Sequence, residues 1–490
     1  MDEAPLVLFL ADADETDRLA DLIAPHLRAG DVVLMEGSIG AGKTHFARRL
    51  IRARLGRQED VPSPTFTLVQ TYEADPDIWH ADLYRLSHPD DVRELGLEEA
   101  FDAAICLVEW PDRLGEMAPQ GALRLRLRTQ GEGRLAEIGF GGRGDLKARV
   151  AVWALHARTA ACEAMLARAG WQAAARQALT ADASARSYAR LGLRGKTRIL
   201  MDAPPGLADD TGAFVAIDRH LRQIGLSAPE IHGADLQQGW LLLEDLGDAV
   251  FARLMAEDPA CETTLCRAAI DVLLHLQDQP AAPGLPDLAA KDWAKAALMV
   301  LDWYRFAVTG DKGDGTALEG ALTGALRAWA DGPRVMILRD YHAENLMWLP
   351  QRQGLARVGV LDFQLAQMGQ PGYDLVSLLQ DARRDVSAKT EAHMLEHFAA
   401  AKGIAPDRFA STYAALGAQR ALRILGIFAR LCLVDGKAQY VALIPRVWGQ
   451  LQSNLAQPEL AALRAVCDAV LPEPTAGALE RIGAQCGHFR

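Results

Sequence analysis

Gly37-Ser38-Ile39-Gly40-Ala41-Gly42-Lys43-Thr44 fits GxxxxGK[ST] and lies between an apolar run, Asp31-Val32-Val33-Leu34-Met35, and a helical pattern that starts after Lys43. Strand, glycine-rich loop and helix in that order are the setting this motif requires. Its glycines let backbone N–H groups curl round phosphate oxygens, and the helix N-terminus adds positive potential. Lys43 is placed to reach the β- and γ-phosphates and the Thr44 hydroxyl to ligate Mg²⁺. The whole stretch from Gly37 to Thr44 is therefore the candidate nucleotide cradle.

Working outward, residues 1 to about 140 alternate short apolar runs with helical patterns, as an α/β unit does. Ile105-Cys106-Leu107-Val108 reads as a second buried strand, closed by Glu109, where a P-loop sheet places a metal-side carboxylate. Asp82, in His80-Ala81-Asp82-Leu83-Tyr84-Arg85, is the second acid available to hold the metal or its water. Leu123, Leu125 and Leu127 alternate with Arg124, Arg126 and Arg128, which predicts a strand with one wet face. Solvation explains those arginines more simply than contact with RNA.

Four motifs in order resemble the TsaE family, the bacterial ATPase subunit of the machinery that makes threonylcarbamoyladenosine in tRNA. They are the GxxGAGKT loop, Ser63-Pro64-Thr65-Phe66-Thr67, the segment His80 to Arg85, and Glu109-Trp110-Pro111. The resemblance covers roughly residues 5 to 140. It implies ATP and Mg²⁺ on Lys43 and Thr44, Glu109 near the metal and Thr65 in a switch-like loop. It also implies a hydrolytic role for Asp82 and a place beside the nucleotide for Trp110. Ser38 departs from the acidic residue common there, at a position that contributes mainly backbone. Family members work with partner protein subunits, so contact with tRNA is expected at most indirectly.

A second phosphate chemistry lies further along. Leu338-Arg339-Asp340-Tyr341-His342-Ala343-Glu344-Asn345 is followed, 17 residues after Asn345, by Asp362 in Val360-Leu361-Asp362-Phe363-Gln364. Phosphoryl transfer needs a carboxylate to accept the hydroxyl proton, plus an amide and a second carboxylate for Mg²⁺. Asp340 is the candidate base; Asn345 and Asp362 are the candidate metal ligands. Upstream, strand patterns (Thr197 to Met201, Trp240 to Glu244) lead into Leu241-Leu242-Leu243-Glu244-Asp245-Leu246-Gly247, a hinge-like segment that marks Glu244 and Asp245 as nucleotide-side candidates. From about Ala249 the pattern is mostly helical.

This order resembles the aminoglycoside phosphotransferase family. Asp182-Ala183-Ser184-Ala185-Arg186-Ser187-Tyr188, Met201-Asp202-Ala203-Pro204-Pro205, Tyr373-Asp374-Leu375 and Leu425-Gly426-Ile427-Phe428-Ala429-Arg430 are similar to its AmgK branch. That branch phosphorylates the anomeric hydroxyl of N-acetylmuramate and N-acetylglucosamine. The strand Arg198 to Met201 lacks the usual kinase lysine, for which Arg186 or Arg190 is the candidate replacement, and the loop from Asp182 to Tyr188 has no glycine. Arg339 stands where many relatives have Gly. Asp374 reads equally as a brace for the catalytic loop or as a helix N-cap, and His342 as structural.

The expected fold class is α/β: a P-loop NTPase domain (1–145), a linker (146–157), then a bilobal protein-kinase-like α+β domain (158–490). A chain of 490 residues with a net charge of -12 favours protein partners over nucleic acid. Its seven dispersed cysteines suit reduced thiols in a cytoplasm, and no run reaches the ~20 apolar residues of a membrane helix. The partners expected are subunits of the threonylcarbamoyladenosine machinery and a small amino sugar. The second module reads alternatively as a nucleotide-binding regulator, or as a kinase of another small-molecule hydroxyl.

Overall fold

A computed structural model describes residues 4–57, 59–86, 90–179, 186–206 and 211–489. The loop around Asp182 to Ala185 lies outside the described residues. By compactness the chain forms two units, 1–211 with 231–245, and 212–230 with 246–490.

The first unit holds two sheets. The larger comprises β1 (Leu6–Leu10), β2 (Val32–Glu36), β3 (Val69–Tyr72), β4 (Ile78–Asp82), β5 (Ile105–Glu109), β6 (Leu123–Gln130) and β7 (Gly133–Gly139). They lie in the order β1-β7-β6-β2-β5-β4-β3. β2 is central and pairs in parallel with β5 and β6, as β4 does with β5, while the outer pairs are antiparallel. Parallel strands covered on both faces need apolar side chains on both, and β5 has none but buried residues. Ile105 and Leu107 join the core under α1 (Ala13–Ile23) and α2 (Lys43–Leu55), while Cys106 and Val108 join the core on the opposite face. β6 alternates as expected, with Leu123, Leu125 and Leu127 buried and the arginines between them exposed.

The second sheet is antiparallel: β8 (Ala175–Leu179), β9 (Ser187–Leu193), β10 (Lys196–Asp202), β11 (Ile231–Asp235) and β12 (Trp240–Glu244), in the order β11-β12-β10-β9-β8.

The stretch expected as a linker, 146–157, is instead the middle of one 25-residue helix, Gly144–Arg168. The reason is burial. Leu146 and Val150 belong to the core of the first sheet, with Trp153 and Ala154 packed on it, whereas Cys162, Met165 and Leu166 belong to the core of the second. Polar contacts anchor the helix at its start and along its length: Arg143 holds Asp31 and the His26 carbonyl, and Arg158 reaches Asp202 Oδ1 (2.5 Å) and the Gln238 carbonyl (2.9 Å).

The second unit is mainly helical and carries two small two-stranded antiparallel sheets, β13 (Val335–Ile337) with β16 (Gln367–Gly369) and β14 (Leu346–Trp348) with β15 (Val358–Val360). Among the described residues no helix is long and apolar enough to cross a membrane.

Candidate functional sites

The first site forms at the carboxyl ends of β2, β4 and β5. Gly37 and Gly42 adopt φ of 146° and 108°, and a Cβ at Gly37 would lie 2.5 Å from the Leu127 carbonyl oxygen, so the cradle needs glycine there. Lys43 is buried and donates to the Gly37 and Ser38 carbonyls at 2.7 and 3.0 Å. Burial lowers its pKa, while the charges of Glu109 and Asp82 pull it back up. Ile39 stands out at the loop's crest, 75% exposed.

Asp82 and Glu109 are directly paired in the parallel register of β4 and β5, so their side chains leave the same face. Glu109 accepts from Thr44 Oγ1 at 2.9 Å on one oxygen and lies 3.0 Å from His80 Nε2 on the other. Asp82 accepts from Thr65 Oγ1 at 2.7 Å and from the Tyr84 N–H at 3.1 Å. Both acids are buried, at 4% and 2% exposure, which sets them apart from solvated surface carboxylates. Trp110 takes a left-handed backbone, φ 61°, uncommon for a bulky residue and concentrated at functional sites. Its ring sits 4.1 Å under Lys43 Nζ and 5.0 Å from the Tyr84 ring. A cavity of about 530 Å³ opens beside the loop, lined by Gly37, Ser38, Trp110, Pro111 and Gly115 among others.

Thus Gly37 to Thr44, Thr65, Asp82, Glu109 and Trp110 come together. Sequence reasoning gave no role to His80, fully buried against Glu109, or to Arg134. The Arg134 guanidinium donates to the Ala41 carbonyl at 2.9 Å and holds the loop from β7. His80 lies two residues before Asp82 on one strand face, a spacing that gains meaning only once Glu109 is seen across the sheet; Arg134 carried no signal. The exposed arginines of β6 are paired: Arg126 with Glu36 (2.6 Å) and Arg128 with Glu137 (3.1 Å). That pairing offsets the charge an RNA-binding face would offer.

In the second unit, Asp340 and Asn345 sit on the loop between β13 and β14, and Asp362 follows β15. The Asn345 amide nitrogen donates to the Asp340 carbonyl at 2.9 Å, leaving its oxygen as an acceptor. The Asn345 carbonyl takes the Leu361 N–H at 2.9 Å, which ties the two segments together. Gln364 donates to Asp362 Oδ1 at 2.9 Å. Arg339 (φ 71°) and Asp362 (φ 56°) both hold left-handed backbones. Asp374 is a brace and not a cap: its oxygens accept the N–H groups of Leu338 (2.6 Å) and Arg339 (2.8 Å), and no side chain caps the helix Tyr373–Leu379. Burial pushes the Asp374 carboxyl up to about 6 against the pull of those two N–H groups. Burial takes His342 down to about 3, with Arg383 and Arg420 pushing the same way, so its ring is neutral at working pH and fits the structural reading.

Glu244 ends β12 opposite Arg198, in the first unit. The Asp245 side chain is held by Arg190, at 2.7 Å (Nε) and 3.1 Å (Nη2), so Arg190 is already engaged with a carboxylate.

A phosphate-binding loop over a Thr44–Glu109 pair defines a P-loop ATPase, and an Asp–Asn–Asp set on braced loops defines a kinase-type phosphotransferase. The comparisons agree with both. The family model "Threonylcarbamoyl adenosine biosynthesis protein TsaE" matches residues 10–136, and "Phosphotransferase enzyme family" matches residues 176–413. An N-acetylmuramate/N-acetylglucosamine kinase of Caulobacter vibrioides is 39% identical over 356 residues, covering 65% of this chain and 98% of that protein. A kinase of the same description from Pseudomonas putida is 32% identical, covering 58% of this chain and 85% of its own. A TsaE protein of Rickettsia felis is 38% identical over 129 residues, covering 26% of this chain and 75% of its own. The chain belongs to the TsaE family through its N-terminal part and to the family of N-acetylmuramate/N-acetylglucosamine kinases through the remainder.

Proposed function

We propose that this chain is a bifunctional ATP-dependent enzyme of the cytoplasm. Residues 1–145 act as the ATPase that supports threonylcarbamoyladenosine modification of tRNA, together with partner protein subunits. Residues 158–490 phosphorylate the anomeric hydroxyl of N-acetylmuramate and N-acetylglucosamine. Function divides across the stretch 146–157 even though one helix runs through it. The observation that carries the reading is that a single chain keeps both complete sets, Lys43–Thr44–Glu109 and Asp340–Asn345–Asp362, each held by named hydrogen bonds. The acceptors come from the names of the relatives.

In the ATPase part, the carbonyl contacts of Lys43 stand where phosphate oxygens would compete for its ammonium group. Backbone N–H groups of Gly40 to Thr44 would cradle those phosphates. Asp82, fixed by Thr65 and the Tyr84 N–H, orients the attacking water, and Trp110 flanks the nucleotide. In the kinase part, Asp340 takes the proton of the anomeric hydroxyl, with its loop held by Asp374. Glu244 and Asp245 serve on the nucleotide side, the Asp245 carboxylate being held by Arg190. Thr44 with Glu109, and the Asn345 oxygen with Asp362, are hard oxygen donors that fit Mg²⁺. That ion, when bound, neutralises charge on the phosphates.

The test is transfer from γ-labelled ATP by the full chain to a panel of amino sugars and aminoglycosides. Labelled N-acetylmuramate and N-acetylglucosamine are expected, with no labelled aminoglycoside. Label on no acceptor would sink the kinase reading and favour a nucleotide-binding regulator, which the absence of a lysine from Arg198 to Met201 would then explain.

A further inference from the structure

His80 is a fully buried side chain in the middle of β4 to which the ATPase reading gives no task. Ile78, two residues back on the same strand face, and Leu107, its parallel partner in β5, both belong to the core under α1 and α2. An apolar side chain would suit that position. The imidazole there is a burden, since its Nδ1 has no hydrogen-bond partner among the described residues and a buried polar atom left so is destabilising.

What the ring makes is a single bond, from Nε2 to Glu109 Oε1 at 3.0 Å. A carboxylate oxygen only accepts, so Nε2 carries the proton and donates. The other oxygen, Oε2, accepts from Thr44 Oγ1 at 2.9 Å, and that hydroxyl keeps its lone pairs for Mg²⁺ while its proton stays on Glu109. Two donors at opposite ends of one carboxylate fix its plane. Asp82, next on the same strand face, is held separately by Thr65 Oγ1 and the Tyr84 N–H, so the two acids are fixed independently. Without His80 a buried oxygen of Glu109 loses its donor. The carboxylate can then turn toward the ammonium of Lys43, which its charge already reaches.

We propose that His80 is a positioning residue: its Nε2–H holds the Glu109 carboxylate in the orientation that presents the Thr44 hydroxyl to the Mg²⁺ of bound ATP. This rests on the ATPase reading above. Residues that hydrogen-bond the groups around a metal orient them without touching the ion, and losing one weakens metal binding.

The experiment titrates Mg²⁺ into the full chain saturated with a fluorescent ATP analogue, without sugar. The signal of the first site is the part that Lys43→Ala removes. His80→Leu should weaken Mg²⁺ binding there about ten-fold, while the analogue binds as before when Mg²⁺ is chelated. His80→Gln, whose amide can donate where Nε2 does, should recover most of that loss. In the Glu109→Gln background, His80→Leu should change nothing further. Three results overturn the proposal: unchanged Mg²⁺ affinity, an equal loss of nucleotide with and without Mg²⁺, or a loss that persists undiminished beside Glu109→Gln. If His80→Leu does not fold, His80→Asn takes its place, its amide being too short to reach Glu109, and the same results decide. A wild type that binds no nucleotide at the first site overturns the ATPase reading itself. That failure is distinct, because it shows before any His80 variant is compared.

Discussion

Glu109 has one oxygen on Thr44 and the other on His80, so its carboxylate has little freedom to turn. It is legible in the sequence because it closes an apolar run, and Asp82 because it sits in an ordered motif. His80 is not, since a buried histidine on an apolar strand reads as core until its neighbour across the sheet is known. The same holds at Asp374, where sequence leaves brace and cap evenly balanced and only the 2.6 and 2.8 Å bonds to a segment 35 residues away decide. Asp374 also carries a pH signature. Burial raises its carboxyl from the ordinary 3.8 to about 6, so between those values the folded chain holds a proton that the unfolded chain releases. Its contribution to stability is therefore full below about 4 and lost as pH rises through about 6. Asp374→Asn removes that decline. Urea unfolding across pH 4 to 7 should give a wild-type-minus-variant difference that falls through this window and is flat above it. Parallel profiles throughout would show that Asp374 does not titrate there. At pH 7 the variant should also transfer phosphate about ten-fold more slowly, because an amide offers one acceptor to two N–H groups.

At the scale of elements, β2, β5 and β6 are legible because period and burial agree: unbroken apolar runs at the centre and strict alternation at β6. The helix Gly144–Arg168 runs through the stretch that sequence marks as a linker. A helical pattern is visible from Val150, but its apolar residues serve two cores in turn, so no single stripe runs its length. Leu146 and Val150 face one sheet and Cys162, Met165 and Leu166 the other, leaving Val152 and Leu155 exposed at 54% and 60%. A linker would tolerate proline between these groups, whereas a continuous helix would not. Ala157→Pro removes an intrahelical hydrogen bond and clashes with the preceding turn, at a cost of about 3 kcal/mol. Thermal unfolding followed by circular dichroism should show the midpoint several degrees lower. An unchanged midpoint would mean that the helix is not continuous in solution.

For the whole molecule the question is whether two activities in one chain depend on each other. The helix shared between the two sheets gives a mechanical path by which one could affect the other, since it contacts both cores and reaches Asp202 through Arg158. A path is not a coupling, which requires that each ligand favour a different arrangement of a common element. Lys43 bonds within its own loop, and Asp340 sits on a loop braced by Asp374 and Ser377. Neither network includes a residue of the shared helix, so separate function is the expectation. In the full chain, Lys43→Ala should abolish ATP hydrolysis measured without sugar and leave sugar phosphorylation within about two-fold. Asp340→Asn should do the reverse, lowering sugar phosphorylation by roughly 10³-fold, as loss of a general base does, while ATP still binds. Phosphate release and sugar phosphate formation, measured on both variants and on the wild type, check this directly. If Lys43→Ala also loses sugar phosphorylation while its thermal midpoint matches wild type, the modules are coupled. The shared helix is then the element to cut first, with Ala157→Pro as the variant that should uncouple them.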